Sequence, residues 1–262
     1  MCKTAVVTGA ASGLGFELSL LLAKDHYNLI LIDLDTASLE LAKCEILKCA
    51  SPTITLIEQN LSVPQAAEKV YHEIKDIPID VLINNAGFGL FGKFYKTDWE
   101  REMEMLQLHV ITTTHLTKLI LKGMLKRNCG KILNMSSLAA FQPGPLMSIY
   151  YATKAYMLSF SQALSNELIG TGVTATVLCP GPTKTSFQQV VSEGCAKNKI
   201  GFNMACAKKV AMYGYNAMNK GKTVAIPGVF NKILAGLPRV LSRNRTTSIV
   251  RKIQEKNRKV EV

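Results

Sequence analysis

The stretch Lys3–Gly15, KTAVVTGAASGLG, decides the fold. Lys3–Gly9 is a β-branched apolar run that stops at glycine, which is the pattern of a buried strand. Leu14–Lys24 then runs apolar almost all round, as a buried helix does. Between them the spacing is Gly-x-x-x-Gly-x-Gly, at Gly9, Gly13 and Gly15. Glycines there let the backbone turn tightly and approach a ligand. A helix N-terminus presents unpaired N–H groups and partial positive charge, so an anion is at home on it. Gly9, Ser12, Gly13, Leu14 and Gly15 are therefore expected to cradle the pyrophosphate of a dinucleotide.

The same alternation continues along the chain. Strands are expected at Asn28–Asp33, Thr53–Glu58, Ile79–Asn84, Lys131–Met135, Val173–Cys179 and Thr223–Ile226. Helices are expected at Ala37–Cys49, from Pro64, from Asp98 to Lys126, and from Tyr150 to Ile169. The strands are continuous apolar runs, so both of their faces are covered. That predicts an α/β fold: one doubly wound domain with a parallel sheet between helix layers. Ligands of such sheets bind outside the carboxyl ends of the strands. Residues 1–230 make the domain and 231–262 a basic tail.

Composition narrows the class. The chain has 262 residues, 48% of them hydrophobic and 19% charged, a globular balance and not a disordered one. No apolar run reaches the length of a membrane span. Seven cysteines, odd in number and never in Cys-x-x-Cys spacing, argue against a disulfide framework or a zinc site and suit a reducing, cytoplasmic location. The net charge is +12. More than half of that excess lies after Asn231, where nine Lys or Arg face Glu255 and Glu261. No reading motif for nucleic acid accompanies it.

Other strand ends carry further candidates. Asp33 ends the second strand, where a carboxylate accepts hydrogen bonds from ribose hydroxyls and repels a 2′-phosphate. No cation stands at Ser12, Asp33 or Leu34, so NAD is expected ahead of NADP. Asp35 as the acceptor, or Asp33 as a helix cap, are the alternatives. Asn84-Asn85-Ala86-Gly87 ends the fourth strand; its small residues leave room for the cofactor and its amides can tie strand ends together. Pro180-Gly181-Pro182-Thr183-Lys184-Thr185 follows a later strand. Its backbone, Thr183 and Thr185 are expected along the nicotinamide. Tyr150 and Lys154, one helical turn apart, point into one cleft. An ammonium beside a phenol lowers its pKa and makes it a proton-transfer group. Ser137 could bond the substrate oxygen that Tyr150 protonates.

Together TGAASGLG, Asp33, NNAG, Ser137, YYATK and PGPTKT resemble the short-chain dehydrogenase/reductase family, over about residues 3–230. The resemblance implies a Rossmann-type domain, an NAD(P) cofactor and a homodimer or homotetramer. It also implies Tyr150 as general acid/base, Lys154 as the group that lowers its pKa and holds the nicotinamide ribose, and Ser137 as the residue orienting the substrate. The tail GVFNKILAGLPRVL is similar to a bacterial branch related to steroid and long-chain acyl reductases. Two positions depart from the family pattern. His109 stands where an asparagine usually supports a proton relay behind the lysine; it either serves that relay or packs between helices. Asn60, followed by Leu61, replaces an aspartate that accepts the adenine amino group, and an amide oxygen can still accept it.

The expected pocket draws on Leu90, Phe91, Phe94, Phe141, Leu146, Met147, Phe187, Val190, Val191, Ile200 and Phe202. It is apolar, without an arginine cluster, and suits a small apolar alcohol or ketone of lipid-, acyl- or steroid-like character. Ser186–Met204 is expected to act as a lid. A cofactor-binding sensor or scaffold is the alternative class. In the tail, Phe230, Ile233, Leu234, Leu237, Val240 and Leu241 form an apolar helical stripe beside cations. That stripe either meets an anionic membrane surface as a peripheral contact or packs on the body or a second subunit.

Overall fold

The computed structural model describes residues 3–185, 187 and 204–258. Its strands are β1 (Thr4–Thr8), β2 (Asn28–Asp33), β3 (Ile54–Glu58), β4 (Val81–Asn84), β5 (Gly130–Met135), β6 (Val173–Leu178), the short β7 (Thr183–Lys184) and β8 (Ala205–Cys206), and β9 (Val224–Ala225). Seven of them form one parallel sheet in the order β3-β2-β1-β4-β5-β6-β9, and β7 pairs with β8 beside it. The helices are α1 (Gly13–Lys24), α2 (Thr36–Leu47), α3 (Ala66–Ile74), α4 (Trp99–Leu106), α5 (Thr113–Lys126), α6 (Ser148–Glu167), α7 (Ala207–Asn219), α8 (Val229–Gly236) and α9 (Arg243–Asn257).

Side-chain alternation along buried strands supplies two cores. Ala5, Val7, Leu29 and Leu31 face one way and pack with Leu18, Leu22, Leu39, Ile46, Val210 and Met218 from α1, α2 and α7. Val6, Ile30, Ile32 and Leu82 face the other way, against Val70, Ile120, Met124 and Leu164 from α3, α5 and α6. The sheet reverses direction between β1 and β4, which are paired neighbours through Val6↔Leu82 and Val7↔Ile83. The crevice at their carboxyl ends is thus placed by topology.

Two expectations about helices need correction. Helix α3 starts at Ala66, two residues after Pro64, because Gln65 takes a left-handed conformation (φ 62°) and turns the chain first. The single helix expected from Asp98 to Lys126 contains a wider π turn over Gln107–Thr112. The Thr113 hydroxyl donates to the Leu108 carbonyl at 2.8 Å, supporting the wider loop of backbone. β-branched Val110, Ile111, Thr112 and Thr113 crowd this segment and disfavour regular α geometry. His109 lies on this π turn and is buried. Of the segment Ser186–Met204, all but Phe187 and Met204 fall outside the described residues, including Val190, Val191, Ile200 and Phe202.

Candidate active site

The glycine turn is fixed by its neighbours as much as by its glycines. Gly9 sits at φ +64°, and a Cβ there would stand 2.8 Å from the Ala86 Cα. On Gly15 a Cβ would meet the Gly9 carbonyl oxygen at 2.0 Å, so the start of α1 lies directly on the turn. Asn85 Nδ2 donates to the Thr8 and Gly9 carbonyls at 3.0 and 2.9 Å. The Thr8 hydroxyl oxygen accepts from the N–H groups of Asn85 and Ala86. The amides thus tie the strand ends together. The first turn of α1 contains no acidic residue, and Ser12 is its N-cap. Gly13 faces the loop after β6, where Thr185 lies 3.0 Å from the place of a Gly13 Cβ. These residues fit the diphosphate of a dinucleotide: a cradle that any side chain would fill, on a helix end free of negative charge.

Asp33 reaches across from β2. One carboxylate oxygen accepts from the Ala11 N–H at 2.9 Å and the other from Leu34 at 2.8 Å. Asp35, not Asp33, caps α2, accepting from the Ser38 N–H at 3.1 Å. Leu34 is exposed. Asn60 Oδ1 accepts from the Ser62 N–H at 2.8 Å, and Leu61 is buried in the core beside it. Thr183 is buried, its hydroxyl donating to the Gly181 carbonyl at 2.9 Å. The Leu138 N–H donates to the Pro180 carbonyl, joining that loop to Ser137.

Ser137, Tyr150 and Lys154 do come together. Ser137 opens a short turn after β5, its hydroxyl oxygen accepts from the Ala139 N–H at 3.1 Å, and its proximity draws the Tyr150 phenol pKa downward. Lys154 Nζ stands 5.7 Å from the centroid of the Tyr150 ring and donates to the Met135 carbonyl at 3.1 Å. The expected depression of the phenol pKa is not what the site shows. Burial pushes Tyr150 up to about 12, against a pull downward from the Ser137 hydroxyl and from the Arg258 guanidinium. Burial likewise brings Lys154 down to about 8. Both groups are buried, and removing water from a charge is the largest cause of each shift. At neutral pH Tyr150 therefore carries its proton.

His109 is buried, with both ring nitrogens engaged. Nε2 accepts from the Phe88 N–H at 3.2 Å, so Nδ1 carries the proton and donates to Thr153 Oγ1 at 2.9 Å. Thr153 in turn donates to the Tyr150 carbonyl at 2.9 Å. Burial, and then the Lys154 charge, hold the imidazole pKa well below its usual value, so it stays neutral. These bonds pin the loop after β4 to α6, while the imidazole also stands close enough to Lys154 to feel its charge. A cavity of about 10 Å³ lies among His109, Lys154, Asn84 and Thr153, at the lower limit for a single water.

Sequence reasoning missed two groups of residues. The first is a buried polar ladder. Asn84 Nδ2 donates to Asn134 Oδ1 at 2.8 Å and to Thr117 Oγ1, and Asn134 Nδ2 donates to Ser161 Oγ. Ser136 Oγ donates to the Lys154 carbonyl. The available signal was a lone asparagine in each of two otherwise apolar strands. The second is the tail. Helix α9 buries Thr246 and Val250, and Gln254 Nε2 donates to the Tyr151 hydroxyl at 2.8 Å. Just beyond it Arg258 is buried, its guanidinium 5.1 Å from the centre of the Phe91 ring and its Nη1 3.0 Å from Met147 Sδ. Tyr150 itself lies in an apolar cluster with Ala139 and Met147, against which Leu90, Phe91 and Phe187 pack. Phe94 is exposed and Phe141 half-buried outside that cluster. Arg258, from more than a hundred residues further along the chain, adds a single cation beside these apolar residues.

Comparison with known proteins agrees with the geometry. The family model for short chain dehydrogenases matches residues 3–196. The ketoacyl reductase HetN of Nostoc sp. is 30% identical over 241 residues, covering 91% of this chain and 83% of the relative. The 17-beta-hydroxysteroid dehydrogenase type 3 of Mus musculus is 28% identical over 214 residues, covering 81% and 70%. A short-chain dehydrogenase from Sphingobium yanoikuyae, solved in complex with NADPH, has the same fold with a TM-score of 0.81 at 23% identity, covering 92% of this chain and 97% of that one. The chain belongs to the short-chain dehydrogenase/reductase family, a family of NAD(P)-dependent oxidoreductases.

Proposed function

We propose that the protein interconverts an apolar secondary alcohol and its ketone, of lipid-, acyl- or steroid-like character, with NAD favoured over NADP. The observation that carries this reading is Tyr150 set in an apolar cluster with Lys154 Nζ 5.7 Å from the centre of its ring. The glycine turn, Asn85, Ala86, Gly87 and the loop from Pro180 to Thr185 would hold the cofactor, whose nicotinamide would supply or take the hydride. Ser137 Oγ donates to the substrate oxygen and fixes its orientation. Tyr150 gives that oxygen a proton during reduction and removes it during oxidation. Lys154, anchored on the Met135 carbonyl, holds a positive charge behind the phenol and faces the nicotinamide side. His109 is a positioning residue. A phenol that holds its proton at neutral pH suits carbonyl reduction. The carboxylate of Asp33 beside an exposed Leu34 offers no partner for a 2′-phosphate and supports the preference for NAD. The names of the two relatives, a ketoacyl reductase and a hydroxysteroid dehydrogenase, support the substrate class.

The test is a screen of apolar ketones and alcohols that follows NADH absorbance, with NADPH in parallel. Turnover of such compounds, faster with NADH, is expected. Cofactor binding without turnover of any of them would leave a sensor or scaffold in place of an enzyme.

We also propose that the protein is cytoplasmic, with a tail that packs on the body or a second subunit or, as the alternative, meets an anionic membrane surface. No helix of the described residues is long and apolar enough to cross one. Helix α8 packs on the turn Leu138–Phe141 yet exposes Val229, Phe230 and Ile233, with Val240 exposed just after it. Lys232, Arg239, Arg243 and Arg245 lie along the same segment. An apolar face rimmed by cations suits anionic headgroups, each cation adding about 1 kcal/mol. A homodimer built on the same face is the competing use. Flotation with anionic vesicles separates them: binding that weakens with salt is expected, and a salt-insensitive dimer that ignores vesicles would overturn the membrane reading.

A further inference from the structure

Helix α6 starts without the usual support. Its N-cap is Met147, which offers no side-chain hydrogen bond, and its first turn holds no acidic residue. The leading N–H groups of a helix have no partner within it, and a capping side chain or a negative charge normally steadies them. Tyr150 sits in this first turn. The chain also enters it through Leu146 at φ 68°, a left-handed conformation that leucine keeps only where its surroundings hold it. Neighbouring segments hold this start instead. The Leu146 carbonyl accepts from the Gly92 N–H at 2.8 Å. The Tyr151 ring lies on Gly144, where a Cβ would stand 2.1 Å from the ring Cγ. The Tyr151 hydroxyl accepts from Gln254 Nε2 at 2.8 Å, and Gln254 Oε1 accepts from Arg258 Nη1 at 2.9 Å. Gln254 belongs to α9, whose buried residues are Thr246 and Val250.

We propose that Tyr151 is a positioning residue: through it, the docking of the C-terminal helix fixes the first turn of α6 and so the placement of Tyr150. Consecutive helix residues point about 100° apart, so the two tyrosines leave the helix in different directions. Tyr151 meets Gly144 and α9, and its ring stands edge to face with that of Tyr150, 6.1 Å away at 74°. A ring seated on a glycine backbone and tied to an amide resists any shift of the helix end that carries it. On another side the Tyr150 carbonyl accepts from Thr153, which His109 holds. The first turn is thus gripped from two directions, and α9 supplies one of them. Rates depend steeply on such placement, since a shift of about 1 Å in a reacting group costs up to about 10²-fold. The tail therefore acts on turnover without supplying a reacting group. This inference rests on Tyr150 as the proton donor of the proposed function.

The test pairs amide hydrogen exchange with kinetics, both on the full chain. Tyr151→Phe removes the hydroxyl and keeps the ring on Gly144, and Gln254→Leu removes the amide. Either is expected to speed exchange about two- to tenfold across residues 147–155, the factor one neutral hydrogen bond is worth. Gln254→Glu can accept from the Tyr151 hydroxyl in place of donating to it, and should return that exchange to the natural rate. Tyr151→Phe on top of Gln254→Leu should add little, because the bond between them is already gone. In the kinetic arm kcat is expected to fall about tenfold in the two breaking variants, with KM and cofactor affinity kept. If Gln254→Leu does not fold by circular dichroism, Tyr151→Phe carries the comparison. Exchange that quickens in α9 alone, or kcat that stays at the natural value while residues 147–155 exchange faster, would overturn the proposal. No turnover by the natural protein counts against the oxidoreductase reading alone, and the exchange arm then decides Tyr151.

Discussion

The crevice has a proposed cofactor half and a proposed substrate half, and the two are made differently. The cofactor half consists of backbone: the turn from Gly9 to Gly15, the ends of β1 and β4, and the loop after β6, locked by Thr8 and Asn85. The substrate half consists of side chains from separate segments, Leu90 and Phe91, Met147 to Tyr151, Phe187, and Gln254 with Arg258. A backbone site needs particular residue types at short spacing, since glycine alone tolerates the approach of another chain segment. A side-chain site needs only that distant segments converge, and many sequences satisfy that. The first kind leaves a signature that can be read along the chain, and the second does not.

The largest expected effect separates chemistry from binding. Tyr150→Phe keeps the ring in its apolar cluster and removes only the transferable proton. Turnover should fall by about 10²–10⁴-fold, with cofactor affinity retained, as measured by stopped-flow rates and cofactor titration. Near-natural turnover would break the assignment of Tyr150 and with it the distinction between the two halves.

A smaller effect tests the backbone half. Asp33→Ala combined with Leu34→Arg removes the carboxylate and offers a partner to a 2′-phosphate. The ratio of NADH to NADPH affinity should narrow by about tenfold or reverse. Because Asp33 also holds the Ala11 N–H, both affinities should drop together as well. A natural preference for NADPH would refute the reading of Asp33.

The smallest effect concerns the hinge between the halves. His109→Asn removes two buried hydrogen bonds, so stability should fall by about 1–3 kcal/mol. The sign of the pH effect follows from the depressed imidazole pKa. Below the ordinary histidine value of 6.5 the unfolded chain takes up a proton that the folded one refuses, so natural stability falls as pH drops. The asparagine variant should lack that component, while the pH profile of turnover stays in place. A shift of that profile would instead return His109 to a proton relay.

Much of this protein was determined by sequence alone. The apolar strands and glycine turn dictated a doubly wound parallel sheet, and the one-turn spacing of Tyr150 and Lys154 put both in a single cleft. Those features depend on periodicity and on residue types that few alternatives replace, so they are local in the chain. Tertiary structure decided the rest. Burial raised the Tyr150 pKa, the reverse of what an ammonium one turn along the helix suggests, because desolvation depends on everything that covers a group. His109, on the π turn, was buried with partners for both of its nitrogens. The tail, whose cations read along the chain as a surface charge, folded back and buried Arg258 beside the pocket. No spacing rule links Arg258 to Phe91, since their contact depends on where α9 docks.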